Sequence, residues 1–139
     1  MDTIKTSNTL IKSLVVIFYT SAIVVQLLVI LKVIPYDWVN GGMSKSYEIQ
    51  AIQSIISLVI IIGLLVFVLK IIKQGTLINN WKLKILYLIT FFWLLGLVMQ
   101  LAGTTFERYF LSFVLLLGVA SHALLIRQIK ASKSSRPVS

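Results

Sequence analysis

The chain of 139 residues contains no cysteine, only four acidic residues and a single histidine. The absence of cysteine excludes disulfides, thiolate metal sites and cysteine nucleophiles. The histidine, His122, lies near one end of a hydrophobic stretch with no carboxylate at its level, so it cannot complete a catalytic triad or a metal site. We therefore expect no cofactor, no metal and no enzymatic activity, and we expect His122 to serve packing or an interfacial hydrogen bond.

Charge is also scarce. Only 12% of the residues are charged, 58% are hydrophobic, and the mean hydropathy is +0.98. A soluble domain of this length needs far more charge to cover its surface, so the composition predicts an integral membrane protein.

Four long windows lack any charged residue: 19 residues after Lys12, 21 after Glu48, 22 after Lys84 and 18 after Arg108. A helix rises about 1.5 Å per residue and must cross roughly 30 Å of hydrocarbon, so each window can just span a bilayer. We predict a single all-α membrane domain over 1–139, a four-helix up-down-up-down bundle. Its predicted helices cover about 11–34, 46–72, 83–103 and 105–128, followed by a basic tail at 129–139.

The basic residues are divided unevenly between the two ends of this bundle. Ten of the thirteen fall at the end that carries both termini, against the single acidic residue Asp2, whereas the other end is balanced. The positive-inside rule then places both termini in the cytoplasm of a plasma membrane. The basic collar would attract an anionic inner leaflet, which accounts for the net charge of +9 without nucleic acid.

The longest polar interruption, 35–48, is predicted to be the outer loop between the first two helices. Pro35 is expected to stop the first helix and Gly41-Gly42 to form a tight turn. With the short third connection and the polar residues of helices two and three, this loop forms the candidate ligand-binding group. Its members are Trp38, Asn40, Glu48, Gln50, Gln53, Ser57, Gln100, Glu107 and Arg108.

Each part of this group also has a purely structural explanation. Thr104 and Glu107 fit a capping box at the start of helix four, and Arg108 could pair with Asp37 or Glu107. The stripe Gln50, Gln53, Ser54 and Ser57 lies on one helical face, and could line a hydrated cavity sealed below Ser57 or form interhelical hydrogen bonds. On helix three, a single face carries Trp93, Gly96, Gln100 and Gly103.

Three short segments carry a family resemblance: Ile34-Pro35-Tyr36-Asp37-Trp38-Val39-Asn40-Gly41-Gly42, Tyr47-Glu48 and Thr105-Phe106-Glu107-Arg108. They resemble uncharacterised four-helix membrane proteins that are widespread in bacteria. Met43 and Phe113 depart from that pattern, which often has a basic residue and a proline at these places. The resemblance implies a bacterial plasma membrane and the same topology, but no activity.

Two functions of different classes follow from these observations. The first is a non-enzymatic role through contact within the membrane, as an accessory, stress-response or immunity-type protein with a membrane protein partner or a second copy of itself. The alternative is a binder or carrier of a lipid-like or amphipathic small molecule, entering at the outer mouth of the bundle. A lipid-modifying enzyme is a third hypothesis, limited to Glu48 and Glu107 as acid–base groups.

Overall fold

The computed structural model describes residues 2–135, and the side chains of residues 9–135 apart from that of residue 76. Four helices account for most of it: α1 (Asp2–Ile30), α2 (Tyr47–Gln74), α3 (Asn80–Leu101) and α4 (Ser112–Ser134). Short 3-10 turns lie at Tyr36–Trp38, Asn40–Gly42 and Gly75–Leu77, and a π-helical turn at Glu107–Leu111 leads into α4. Within residues 2–135 there is no strand, and four helices are long and apolar enough to cross a membrane. The predicted all-helical fold with four candidate spans is confirmed.

The first helix ends earlier than predicted, at Ile30 rather than near residue 34. Lys32 adopts a left-handed backbone with φ of 61°, and the N–H groups of Val33 and Ile34 both donate to the carbonyl of Leu28. This arrangement closes the helix before Pro35 is reached. Pro35 instead precedes the Tyr36–Trp38 turn, so its predicted role as the helix stop was wrong.

Two helices also extend beyond their predicted limits. The first begins at Asp2, not near residue 11, because residues 2–10 contain no glycine or proline that would interrupt it. The last continues to Ser134, since Ile129 is buried in the core and Lys133 Nζ donates to Asn80 Oδ1 at 3.0 Å. The predicted tail at 129–139 is therefore helical as far as Ser134, and its residues 136–139 lie outside the described part.

Hydrogen bonds bring the first and third connections together at one end of the molecule, which we call the loop end. The second connection lies beside the last turns of α4, at what we call the opposite end. The helices are not packed evenly around a common axis. Helix α1 packs against α2 and α4, and α3 packs against α4, but the backbones of α2 and α3 come close together almost nowhere within the described residues.

The largest hydrophobic cluster fills the bundle from its middle to the opposite end. It includes Val15, Phe18, Val68, Leu86 and Leu125. A smaller cluster, built around Val25, Val29, Ile34 and Val39, supports the base of the first connection. Because the main cluster stops short of the loop end, the gap between α2 and α3 stays open there.

His122 lies inside this cluster and not at an interface. Its Nε2 lies 3.1 Å from the hydroxyl of Tyr19, and its Nδ1 lies 2.7 Å from the carbonyl oxygen of Gly118. Since a carbonyl only accepts, Nδ1 carries the proton and Nε2 accepts from Tyr19. Gly118 is required here because a Cβ would come within 2.5 Å of the Phe18 ring. Of the two roles expected for His122, packing therefore applies, and its hydrogen bonds are internal.

Candidate functional site

The first connection makes its turn through three consecutive residues with positive φ: Asn40 (54°), Gly41 (66°) and Gly42 (69°). Glycine tolerates this conformation at no steric cost, and asparagine tolerates it better than most residues do. A Cβ on Gly42 would also lie 3.1 Å from the carbonyl oxygen of Asp37. The turn directs the N–H of Gly41 toward the third connection.

A buried carboxylate receives that N–H. Glu107 is 2% exposed, and its two oxygens lie 3.0 and 2.9 Å from the nitrogen of Gly41. One of them also accepts from the N–H of Thr104 at 2.8 Å, while Thr104 Oγ1 accepts from the N–H of Glu107 at 3.3 Å. The predicted capping box is present, and its carboxylate additionally ties the two connections together. Gly103 makes room for it, because a Cβ there would lie 2.2 Å from Glu107 Oε2.

Three further contacts hold the two connections near this carboxylate. The hydroxyl of Thr104 donates to the carbonyl of Trp38, whose ring packs 5.8 Å from that of Phe106. Arg108 is exposed, and its Nε donates to the carbonyl of Leu101 at 3.1 Å. The guanidinium therefore caps the carboxyl end of α3. This role is structural, but it differs from the expected pairing with Asp37 or Glu107.

The polar stripe of α2 is divided into two pairs of residues with different surroundings. Gln50 (3% exposed) and Ser54 (0%) are buried between helices, and Gln50 Nε2 lies 3.3 Å from Ser54 Oγ. Gln53 and Ser57 face the gap between α2 and α3. The amide of Asn40 links the halves by donating to Gln50 Oε1 at 2.9 Å and to Gln53 Oε1 at 2.8 Å. Gln53 and Ser57 thus line a cavity, as one explanation predicted, whereas Gln50 bonds to Ser54 on its own helix and to the first connection, and not to another of the described helices.

The gap contains two adjoining cavities. The outer chamber, of about 1090 Å³, lies at the loop end and is lined by residues that include Lys45, Gln53, Met99, Gly103 and Glu107. The inner chamber, of about 320 Å³, is bounded by all four helices and by residues that include Gln26, Trp93 and Gly96. Asn40, Ser57 and Gln100 line both chambers, so the two lie side by side.

The inner chamber is mostly apolar and its polar groups are neutral: most lie near the loop end, and the indole N–H of Trp93, which is buried without a partner among the described residues, lies deeper. Phe18, Phe92, Trp93 and Leu115 form part of its wall. Two residues that line the inner chamber are exposed at the surface of the bundle, Ile60 at 55% and Phe92 at 58%. The inner chamber is therefore only partly enclosed, and two of its lining side chains also reach the surface of the bundle.

Five of the nine predicted site residues come together around the cavities: Asn40, Gln53, Ser57, Gln100 and Glu107. The other four lie outside the lining. Gln50 is buried behind Asn40 and Ser44, Trp38 and Arg108 hold the connections in place, and Glu48 is exposed in the first turn of α2.

Sequence reasoning did not assign Lys45, Met99, Gly103, Trp93 or Gly96 to the site. A signal for the last three was present, because they share the helical face of α3 that carries Gln100. Lys45 and Met99 show no such pattern, and only the tertiary arrangement places them at the cavity.

Chemically, the arrangement offers a polar mouth above an apolar chamber. Among the side chains described within residues 9–135, no group of three or more His, Cys, Asp or Glu residues could hold a metal ion. Comparison of the chain with protein-family models, with curated proteins and with solved structures gave no match. The bacterial family resemblance stays a prediction.

Proposed function

We propose that this protein binds an amphipathic molecule of the bilayer in the gap between α2 and α3. The observation that carries the proposal is the separation of these two helices at the loop end, with polar groups at the mouth and aromatic and aliphatic groups deeper in. Ligand sites are typically concave, mostly apolar and about 300–1,000 Å³ in volume, with a few placed polar groups. A lipid-like molecule entering sideways matches that pattern.

The proposal includes a topology. We infer an up-down-up-down bundle in a bacterial plasma membrane, with both termini cytoplasmic and the loop end outside. The support is the concentration of ten of the thirteen basic residues at the opposite end, next to the termini. The ligand would then enter from the outer leaflet.

Filling the gap tests the binding function. Ser57 lines both chambers and is half-buried, so Ser57→Phe should occupy the space where they join. Val59 lies on the same helix with 67% of its surface exposed, so Val59→Phe is the matched control. Native mass spectrometry of protein released from membranes should show a co-purifying amphipath with wild type and the control, and not with Ser57→Phe.

The other function expected from the sequence is a role through protein contacts without a ligand, and it predicts that no amphipath co-purifies with the wild-type protein. If no amphipath is retained by wild type, or if Ser57→Phe retains it as wild type does, the binding proposal fails. Thermal unfolding in the same detergent serves as the folding control. The melting temperature of Ser57→Phe should stay close to that of wild type, because the cavity beside Ser57 has room for the ring with little overpacking.

A further inference from the structure

We propose that the inner chamber selects an amphipath with an uncharged hydrogen-bonding head and a single acyl chain, of the acylglycerol or fatty-amide class. This inference rests on the proposed binding function and adds the chemical class of the ligand. It is carried by two observations: the distribution of ionised groups between the chambers, and a set of polar groups that lack partners.

Ionised side chains line only the outer chamber. Lys45 and Glu107 border it, whereas no Lys, Arg, Asp or Glu borders the inner chamber among the described residues. Glu107 is also already engaged, because its carboxylate accepts from Gly41 and Thr104. A charged head drawn into the inner chamber would lose its hydration without gaining a counter-charge, which is strongly unfavourable.

Neutral polar groups converge on the inner chamber from three helices: Gln26 from α1, Ser57 from α2 and Gln100 from α3. Gln100 Oε1 is buried and has no hydrogen-bond partner. Among the described residues, no partner is found for the side chains of Gln26 and Ser57 either. Carboxamides and a hydroxyl offer both donors and acceptors, so they match hydroxyl, ester or amide groups.

The acyl chain has a defined direction. Trp93 lies seven residues before Gln100 on α3, or about 10 Å farther from the loop end. Between the two lies Gly96, where a Cβ would meet Leu115 at 3.4 Å, so the wall is close-fitting. A head bonded to Gln100 therefore places its chain against Trp93, in the part of the chamber that Ile60 and Phe92 also line. The chamber volume of about 320 Å³ is near the lower limit for ligand sites, which favours one chain over two.

Trp93 provides the measurement. Trp38 and Trp81 are 49% and 52% exposed, and replacing both with Phe leaves Trp93 as the only tryptophan, which can be excited apart from the tyrosines. Bromine on an acyl chain quenches tryptophan at contact. We would titrate this protein, in phosphatidylcholine vesicles, with three probes that share one brominated chain: a monoacylglycerol, an alkyl phosphate and an alkyl trimethylammonium.

The monoacylglycerol should quench Trp93 saturably at low mole fraction, and the two charged probes should bind at least about tenfold more weakly. Gln100→Leu should weaken monoacylglycerol binding about tenfold, because a buried hydrogen bond to the ligand is lost. Gln74→Leu, an exposed glutamine at the end of α2, is the matched control and should leave it unchanged.

The outcomes separate the inference from the function on which it rests. Equal saturable quenching by all three probes, abolished by Ser57→Phe, overturns the head-group selectivity and leaves the binding function standing. Unchanged binding by Gln100→Leu overturns the assigned hydrogen bond. If no probe saturates, the chamber holds water only, and the binding function and the inference both fail.

Discussion

The carboxylate of Glu107 offers the sharpest test of how the loop end is held together. Replacing it by alanine removes every acceptor that the carboxylate provides to the N–H groups of Gly41 and Thr104. Glu107→Gln keeps one acceptor oxygen in the same place. Glu48→Ala removes an exposed carboxylate in the first turn of α2 and is the matched control.

The magnitudes follow from the number of bonds lost. Hydrogen bonds to a charged group contribute about 1.5–3 kcal/mol each, so two donors account for about 3–6 kcal/mol. In the alanine variant the loop can move and water can bond to the freed N–H groups, which offsets part of this loss. We therefore expect Glu107→Ala to lower the free energy of unfolding by about 3 kcal/mol, the lower end of that range. Glu107→Gln should cost about 1 kcal/mol, because it also preserves the capping geometry. Glu48→Ala should cost only about 0.5 kcal/mol, through the helix dipole.

Equilibrium unfolding of the purified protein in a mild detergent, followed by helical circular dichroism, would measure these differences. A loss below about 1 kcal/mol for Glu107→Ala would refute the argument that this carboxylate joins the two connections. A different result would be informative about function: if Glu107→Gln unfolds as wild type does but no longer retains the amphipath, the carboxylate contacts the ligand.

Two further predictions concern the same end of the molecule. Gly103→Ala should displace the Glu107 carboxylate, because the new Cβ would lie 2.2 Å from Oε2, and should lower the free energy of unfolding by about 1–3 kcal/mol. The control Gly63→Ala should not destabilise the protein, because its Cβ would meet nothing within 4 Å. Equal melting temperatures of the two variants would contradict the packing argument. If the proposed topology is correct, a cysteine at the exposed position Met43 should react with an impermeant thiol reagent in intact cells. A cysteine at Ser134 should react only after lysis. Labelling at position 134 in intact cells would contradict the proposed orientation of the protein in the membrane.

Local properties were readable from the sequence because they depend on residues close together in the chain. Hydropathy over about 20 residues located the four candidate spans. The capping box was also predictable, since Thr104 and Glu107 lie three residues apart and satisfy N–H groups of the same helix start. The helix ends were less predictable. Helix α1 ends because Lys32 adopts a left-handed backbone conformation, and no proline or glycine lies at that position to signal it.

Which helices adjoin was decided only in the tertiary structure. Inside a bilayer, lipid chains are as apolar as leucine, so a hydrophobic helix face does not reveal whether it meets lipid or another helix. The sequence therefore could not show that α2 and α3 stand apart, or that this separation turns Gln53 and Ser57 toward a cavity while Gln50 and Ser54 are buried.

The hydrogen bond by which Glu107 joins the two connections was likewise decided only in the tertiary structure. Its place in the capping box follows from spacing, but its bond to Gly41 joins residues in different connections. That bond depends on the left-handed turn at Asn40, Gly41 and Gly42 and on the absence of a side chain at Gly103. The sequence by itself determined the four helical spans and the capping box of Thr104 and Glu107, because these depend on residues close together in the chain. The cavity and the carboxylate that holds its rim depend on how distant segments meet, and only packing in three dimensions sets that.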